Sequence, residues 1–301
     1  MSFEEIEARK ALKMSGKFYN NFKTAMLLAA LTGVILFAGH LIGGPRGVIV
    51  ALVLAAVMNF AGYFFSAKIA LASMGAQEVG PEHELYQITA KLAERGNLPM
   101  PRVYVSPQPA PNAFATGRGP NNAAVCATEG LLHMLDRNEI AGVMAHELAH
   151  VRHRDILIQS VAATIGGAIS SLGYMFMFSG GNNSDEDSPH PLAGLLVMLL
   201  GPLAAGLIQA SISRSREFNA DTVGGEICGN PMYLATALEK IHAAAEQIPL
   251  DVNPSFNALM IAEPRNVVKS MANLFRTHPP LEARLLNLIG RETTGRFAYA
   301  R

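Results

Sequence analysis

The sequence predicts an α+β domain joined to helical membrane-spanning segments, four in number, and three observations predict it. Four stretches, 24–45, 47–67, 156–180 and 191–213, contain no Lys, Arg, Asp or Glu. Three short strand-like runs, 102–106, 112–116 and 123–128, are separated by Pro and Gly turns. A sharply capped helix then begins at Asp136. Composition agrees, with 50% hydrophobic and 16% charged residues and a positive mean hydropathy, which excludes disordered, collagen-like and coiled-coil chains. Lys plus Arg equals Asp plus Glu at 24 each. No global positive field therefore recruits nucleic acid. Cys126 and Cys228 lack CxxC spacing and read as buried thiols rather than a disulfide framework or a thiolate metal site.

Each apolar stretch reaches the roughly 20 residues that cross a hydrocarbon core of about 30 Å. Arg9, Lys10, Lys13, Lys17 and Lys23 precede the first, but no cleavage site leads into a soluble domain, so a secretory signal is not expected. The first two stretches form a hairpin through Gly43, Gly44, Pro45 and Arg46. Orientation follows from basic residues, which are retained on the cytoplasmic side. The 1–23 arm holds five, 68–155 eight and 214–301 ten, whereas the 181–190 loop holds none. The expected organisation is a cytosolic arm (1–23), a transmembrane hairpin (24–67), a first cytosolic part (68–155), a second transmembrane hairpin (156–213) and a second cytosolic part (214–301). A buried helical hairpin inside a soluble core is the alternative for 156–213, but apolar runs that long are uncommon in soluble helices. The two cytosolic parts together can build one core.

The capped helix carries chemistry. Asp136 and Glu139 have the spacing of a capping box, and Ile140, Val143, Met144 and Leu148 mark an apolar side. On it lies His146-Glu147-Leu148-Ala149-His150. Imidazoles at i and i+4 share a face and can reach one tetrahedral Zn2+ at about 2.0–2.1 Å. Glu147, one step round, can take a proton from a metal-bound water and return it to a leaving amine. With nine His in the chain, chance is a poor explanation of the pattern. Two His do not close a catalytic zinc site. Beyond the second hairpin comes Ser213-Arg214-Ser215-Arg216-Glu217-Phe218-Asn219-Ala220-Asp221. Glu217 can supply the third ligand, and Asp221, four residues on, can accept the far N–H of a ligating His. An exposed helix start reads the same way in isolation; the HExxH motif upstream reverses that preference.

These motifs, HELAH, an interposed hydrophobic hairpin and SRSREFNAD, resemble the HtpX family of integral-membrane zinc metalloproteases, relatives of the prenyl-protein CAAX endoprotease. The resemblance extends to the two leading spans, Asn112-Ala113-Phe114-Ala115-Thr116-Gly117 and His278-Pro279-Pro280. It implies a zincin-like α+β protease domain in the cytosol, a multi-pass chain in the cytoplasmic membrane, and one Zn2+ held by His146, His150 and Glu217. It further implies Glu147 as the catalytic residue and misfolded or damaged membrane proteins as substrates, in the manner of a stress-response quality-control enzyme. Four spans depart from the larger intramembrane chamber of the prenyl-protein enzymes, so a CAAX-type substrate is the less favoured alternative. A membrane zinc scaffold without turnover is another, disfavoured because holding metal needs no carboxylate at Glu147.

Zincins hold peptide as an added strand on a sheet edge. Asn112, Ala113, Phe114 and Ala115 are the candidate edge, with Asn112 offering its amide to substrate backbone or, alternatively, closing the turn after Pro111. For His278 the resemblance implies a hydrogen bond to the oxyanion of the tetrahedral intermediate; a loop or capping histidine is the alternative. Arg152, His153, Arg154 and Asp155, at the end of the HExxH helix, are expected only to anchor it and pair charges locally.

Overall fold

The computed structural model describes residues 3–164, 214–245 and 279–290. The chain begins with α1 (Phe3–Ser73), which is two helices joined at Gly44, whose φ of 56° and ψ of −143° are non-helical. That backbone region is open to glycine and disfavours side chains, and Pro45 next to it starts the second helix without needing a donor. The chain therefore turns back at the Gly43–Arg46 position read from the sequence. Asn59 Nδ2 donates to Thr32 Oγ1 at 2.8 Å, tying the second helix to the first. Gly43–Ser73, with 31 residues, is the one helix among the described residues long and apolar enough to cross a membrane. Thr24–Phe37 is a shorter apolar helix. Of the second hairpin, only the helical start at 156–164 is described; the remainder, with its two expected crossings and acidic loop, lies outside the described residues.

After α1 the chain builds a four-stranded sheet. Its strands are β1 (Gln77–Glu78), β2 (Arg102–Ser106), β3 (Ala113–Gly117) and β4 (Ala123–Thr128), in the order β1-β2-β4-β3. β2 and β4 run parallel, while β1 on β2 and β3 on β4 are antiparallel. Pro101 keeps the residues before β2 extended. The α2 helix (Glu84–Arg95) connects β1 to β2 and buries Leu85, Ile88 and Leu92 at helical spacing.

Side chains alternate across the sheet as its pleat requires. Val103, Ala113, Ala115, Val125 and Ala127 enter the main core with α2 and the following helices. Tyr104, Phe114, Ala124 and Cys126 point to the opposite face, where they meet Ala70, Leu71 and Met74 from the end of α1 and Ala163. The apolar helices thus cover one face of the sheet and the domain's own helices the other.

Beyond α3 (Glu129–Met134) comes α4 (Arg137–His153), the central helix. Both halves of its capping box form: Asp136 Oδ1 accepts from Glu139 N–H at 2.9 Å, and Glu139 Oε2 accepts from Asp136 N–H at 2.9 Å. From Ile140 to Val151 nearly every residue of α4 is buried. It packs on the sheet and α2 and against α5 (Arg214–Cys228) and α6 (Pro231–Ala245), while α7 (Leu281–Ile289) closes over α5 and α6. Gly224 permits the close approach of α5 to α4, because a Cβ there would lie 2.9 Å from both the Cα and the N of His146. Glu217 reaches the face of α4 bearing the two histidines through that contact.

Candidate metal centre

The site is assembled from α4, α5 and α7. On α4, His146 and His150 are one turn apart and point into the same space, with rings at 89° to one another and Nε2 atoms 3.2 Å apart. From α5, Glu217 brings Oε2 to 3.8 Å from His146 Nε2 and Oε1 to 3.5 Å from His150 Nε2. Ligands of a tetrahedral zinc at 2.0–2.1 Å are separated by about 3.3 Å along each edge. The three observed separations bracket that edge, and both imidazoles turn Nε2, not Nδ1, toward the common centre. His146, His150 and Glu217 could therefore hold one metal ion, and all three are buried.

Charge supports the fit. Glu147, Asp155, Glu217 and Asp221 are at most 4% exposed. Against these four carboxylates stand the guanidinium of Arg284, 3% exposed, and that of Arg216, 15% exposed in its side chain. Buried charge left uncompensated is strongly unfavourable. A divalent cation at the three donors brings the formal count to neutrality.

The far nitrogens of both imidazoles face carboxylates. Asp221 Oδ1 lies 2.9 Å from His146 Nδ1, and Asp155 Oδ2 lies 3.4 Å from His150 Nδ1. Arg284 grips Asp221 with two bonds, Nε to Oδ2 at 2.9 Å and Nη2 to Oδ1 at 2.6 Å. Burial opposes ionisation of Asp221, but Arg284 and His146 hold its carboxyl below the usual range. Burial also opposes charge on His150, yet Glu217, Asp155 and Glu147 outweigh it and push the imidazole up to about 9.

Glu147 falls on the same turn of α4, between the two histidines, and is buried. Asn112 and Ala113 lie where the candidate edge was read, with the strand displaced one residue toward Gly117. β3 has one strand neighbour among the described residues, β4, so it is the sheet's edge. Thr128 N–H donates to Asn112 O at 2.9 Å. Because bonded and non-bonded pairs alternate in an antiparallel ladder, Ala113 and Ala115 turn their backbone groups away from β4. Asn112 Oδ1 accepts the Ala113 N–H at 3.0 Å, and the Phe114 side chain is sunk in the far face. Gly117 N–H and Thr116 Oγ1 meet Ser160 Oγ at 3.4 and 2.7 Å. His278 lies outside the described residues.

Two site residues were not legible from sequence. Asp155, expected only to pair local charges, lies beside the His150 imidazole. Arg284 sits in a run, Leu281-Glu282-Ala283-Arg284-Leu285, that reads as an ordinary amphipathic helix start; no local signal marks it.

Comparison with known proteins places this geometry in a family. The model of peptidase family M48 matches residues 80–292. A protease HtpX homolog of Desulfatibacillum aliphaticivorans is 49% identical over 278 residues, covering 90% of this chain and 89% of that protein. Another from Burkholderia cenocepacia (strain HI2424) is 49% identical over 284 residues, covering 93% and 99%. Among solved structures, the crystal structure of S. mikatae Ste24p aligns with 91% of this chain and 66% of its own, at 21% identity and a TM-score of 0.46. The matched segment holds HExxH, Glu217 and Arg284 alike, and the chain belongs to peptidase family M48 as a membrane metalloprotease.

Proposed function

We propose that this chain is a zinc-dependent endopeptidase, multi-pass in the cytoplasmic membrane, that hydrolyses peptide bonds of misfolded or damaged membrane proteins. The observation that carries the reading is the spacing of the three donors, 3.2, 3.5 and 3.8 Å, with Glu147 on the turn between the two histidines. Zinc bound there supplies Lewis-acid polarisation of a water and of the scissile carbonyl. His146, His150 and Glu217 are its ligands. Glu147 accepts the proton of the attacking water and delivers it to the departing amine. Asp221, fixed by Arg284, holds His146 in the tautomer that presents Nε2. The C=O of Ala113 and the N–H and C=O of Ala115 receive an extended peptide as an added strand, which gives sequence-tolerant binding suited to unfolded segments. Asn112 sets the start of that edge through its bond to Ala113. His278 hydrogen-bonds the developing oxyanion.

Four crossings, with both cytosolic parts on one face, fit the charge distribution between the apolar stretches. Casein digestion by the full chain purified in detergent, with and without chelator, tests the activity. Cleavage that chelator stops and zinc restores is expected. Absence of cleavage by zinc-loaded, folded protein sinks the reading in favour of a scaffold, and cleavage confined to prenylated peptides sinks the substrate class. Asn183→Cys should react with an impermeant maleimide in intact cells lacking Cys126 and Cys228; labelling only after permeabilisation removes the third and fourth crossings.

A further inference from the structure

The helix bearing HExxH ends in an unusual way. Arg154 closes it at φ 61° and ψ 31°, a left-handed conformation that costs a residue with a side chain about 1–3 kcal/mol. Its N–H reaches back to Val151 O at 3.2 Å, and Asp155 N–H reaches His150 O at 3.0 Å. The turn folds Asp155 back beneath the helix, where it is 1% exposed. Oδ2 then lies 3.4 Å from His150 Nδ1, and Oδ1 lies 3.5 Å from Arg216 Nη1. Arg216 immediately precedes Glu217 on α5, and Ile156 opens the helix that leads into the second apolar hairpin.

The two histidines thus have matching surroundings. His146 turns Nε2 to the centre and Nδ1 to Asp221, which is held by Arg284. His150 turns Nε2 to the centre and Nδ1 to Asp155, which is held by Arg216. The first carboxylate belongs to the spacing read from sequence; the second belongs to no motif and is made by a backbone turn.

We propose that Asp155 is a positioning residue for His150: its carboxylate fixes the Nδ1–H tautomer and ring orientation, and through Arg216 it ties the start of the second hairpin to the metal centre. The proposal rests on the reading of His146, His150 and Glu217 as metal ligands. A carboxylate behind a ligating imidazole raises its basicity and holds its plane, and loss of such a partner weakens metal binding by about 10–100-fold. The strained turn at Arg154 fits this role, because backbone strain persists where the following contacts determine it.

Asp155 also stands just before a helix, its carbonyl accepting Gln159 N–H at 3.3 Å, so an N-capping role is the rival. Asn caps as well as Asp does, and Asp155→Asn therefore separates the two roles. The experiment uses the full chain in detergent, with zinc affinity measured against a chromophoric chelator, the visible spectrum of the Co2+ form, and the melting temperature of the metal-free protein. For Asp155→Asn the expected result is about 10–100-fold weaker zinc, a displaced Co2+ band, and unchanged melting of the metal-free form. Asp155→Glu should recover part of the affinity. Zinc affinity within twofold of the parent in Asp155→Asn, while Glu217→Ala has lost its metal, overturns the proposal and leaves the ligand set standing. Retention of zinc by both Glu217→Ala and His150→Ala overturns the ligand set and the proposal with it. If Asp155→Asn does not fold, Arg216→Gln replaces it: weaker zinc supports the tie to α5, and unchanged zinc overturns it.

Discussion

The leading hairpin and the metal centre invert each other. In the second helix of α1, Ile49, Val50, Val53 and Val57 are 60–69% exposed, while around α4 two imidazoles, four carboxylates and a guanidinium are nearly sealed from solvent. A water-soluble protein would bury the first set and expose the second. The inversion has two different causes. Apolar side chains face outward where lipid is the solvent, while small or polar positions such as Ala51, Ala55 and Asn59 turn inward to neighbouring helices. Charged side chains face inward where each has a partner of opposite sign or a metal to bind. Exposure in α1 is thus a property of the surroundings, and burial in α4 a property of the chemistry.

Substituting Glu147 should break the second half of this contrast most severely. Glu147→Gln keeps the shape but cannot take the proton, so casein cleavage should fall by about 100–10,000-fold with one zinc per chain retained. Zinc analysis of the purified variant checks it; a metal-free variant would make Glu147 a ligand. On the other side of the comparison, Val53→Lys should raise the apparent insertion free energy of the second helix by about 2.5–3.5 kcal/mol in a translocon reporter assay, the cost of a cation at mid-bilayer. The same residue change in α4, Val143→Lys, should abolish folding instead, since Val143 is fully buried in the main hydrophobic core, where an ammonium ion and its longer side chain are strongly disfavoured. Equal insertion of parent and Val53→Lys helices would mean that this helix does not face lipid.

How much of this could be read from sequence depended on whether the cause was local. The strands Arg102–Ser106 and Ala123–Thr128 and the capping box at Asp136 and Glu139 coincide with their sequence readings, because turn and capping chemistry act within a few residues. The pairing of Glu217 with Asp221 was legible for the same reason, as helical spacing puts them on one face. α3 was not read, being six residues long, and β3 begins one residue late, where the Asn112 N–H goes to Thr128 Oγ1 at 2.8 Å rather than to a main-chain carbonyl of β4. Arg284 was out of reach: its partners Asp221 and His146 are 63 and 138 positions away, and only the packing of α7 on α5 converts a surface-looking arginine into a buried one. The place of Asp155 beside His150 was not legible because it depends on a left-handed Arg154, a conformation that no residue pattern announces.

Gly224 sharpens the boundary between structure and chemistry at smaller magnitude. Gly224→Ala places a methyl 2.9 Å from the His146 backbone, where neither helix can yield without moving His146 or Glu217. Overpacking of this kind costs about 1–3 kcal/mol, and zinc affinity should fall together with thermal stability. An alanine variant that loses stability yet binds zinc as the parent does would show that α5 can shift without carrying Glu217 along.

The smallest effect should come from the far end of the same helix. Asp136 Oδ1 accepts the N–H groups of Asn138 and Glu139, and its removal leaves two donors to water at an exposed helix start. Asp136→Ala should therefore lower stability by about 1 kcal/mol. Ten residues of helix, about 15 Å, separate this cap from His146, and the intervening turns are held on all sides by the sheet, α2, α5 and α6. Fraying at the first turn has no path to the donors, so zinc affinity and cleavage should match the parent while the chemical denaturation midpoint drops. Lys240, which pairs with Glu139 at 2.7 Å, offers a companion test, since Lys240→Ala weakens the same turn from outside and should be nearly non-additive with Asp136→Ala. If either change instead loosens zinc, α4 transmits disorder along its length and its burial is less protective than the contrast with α1 implies.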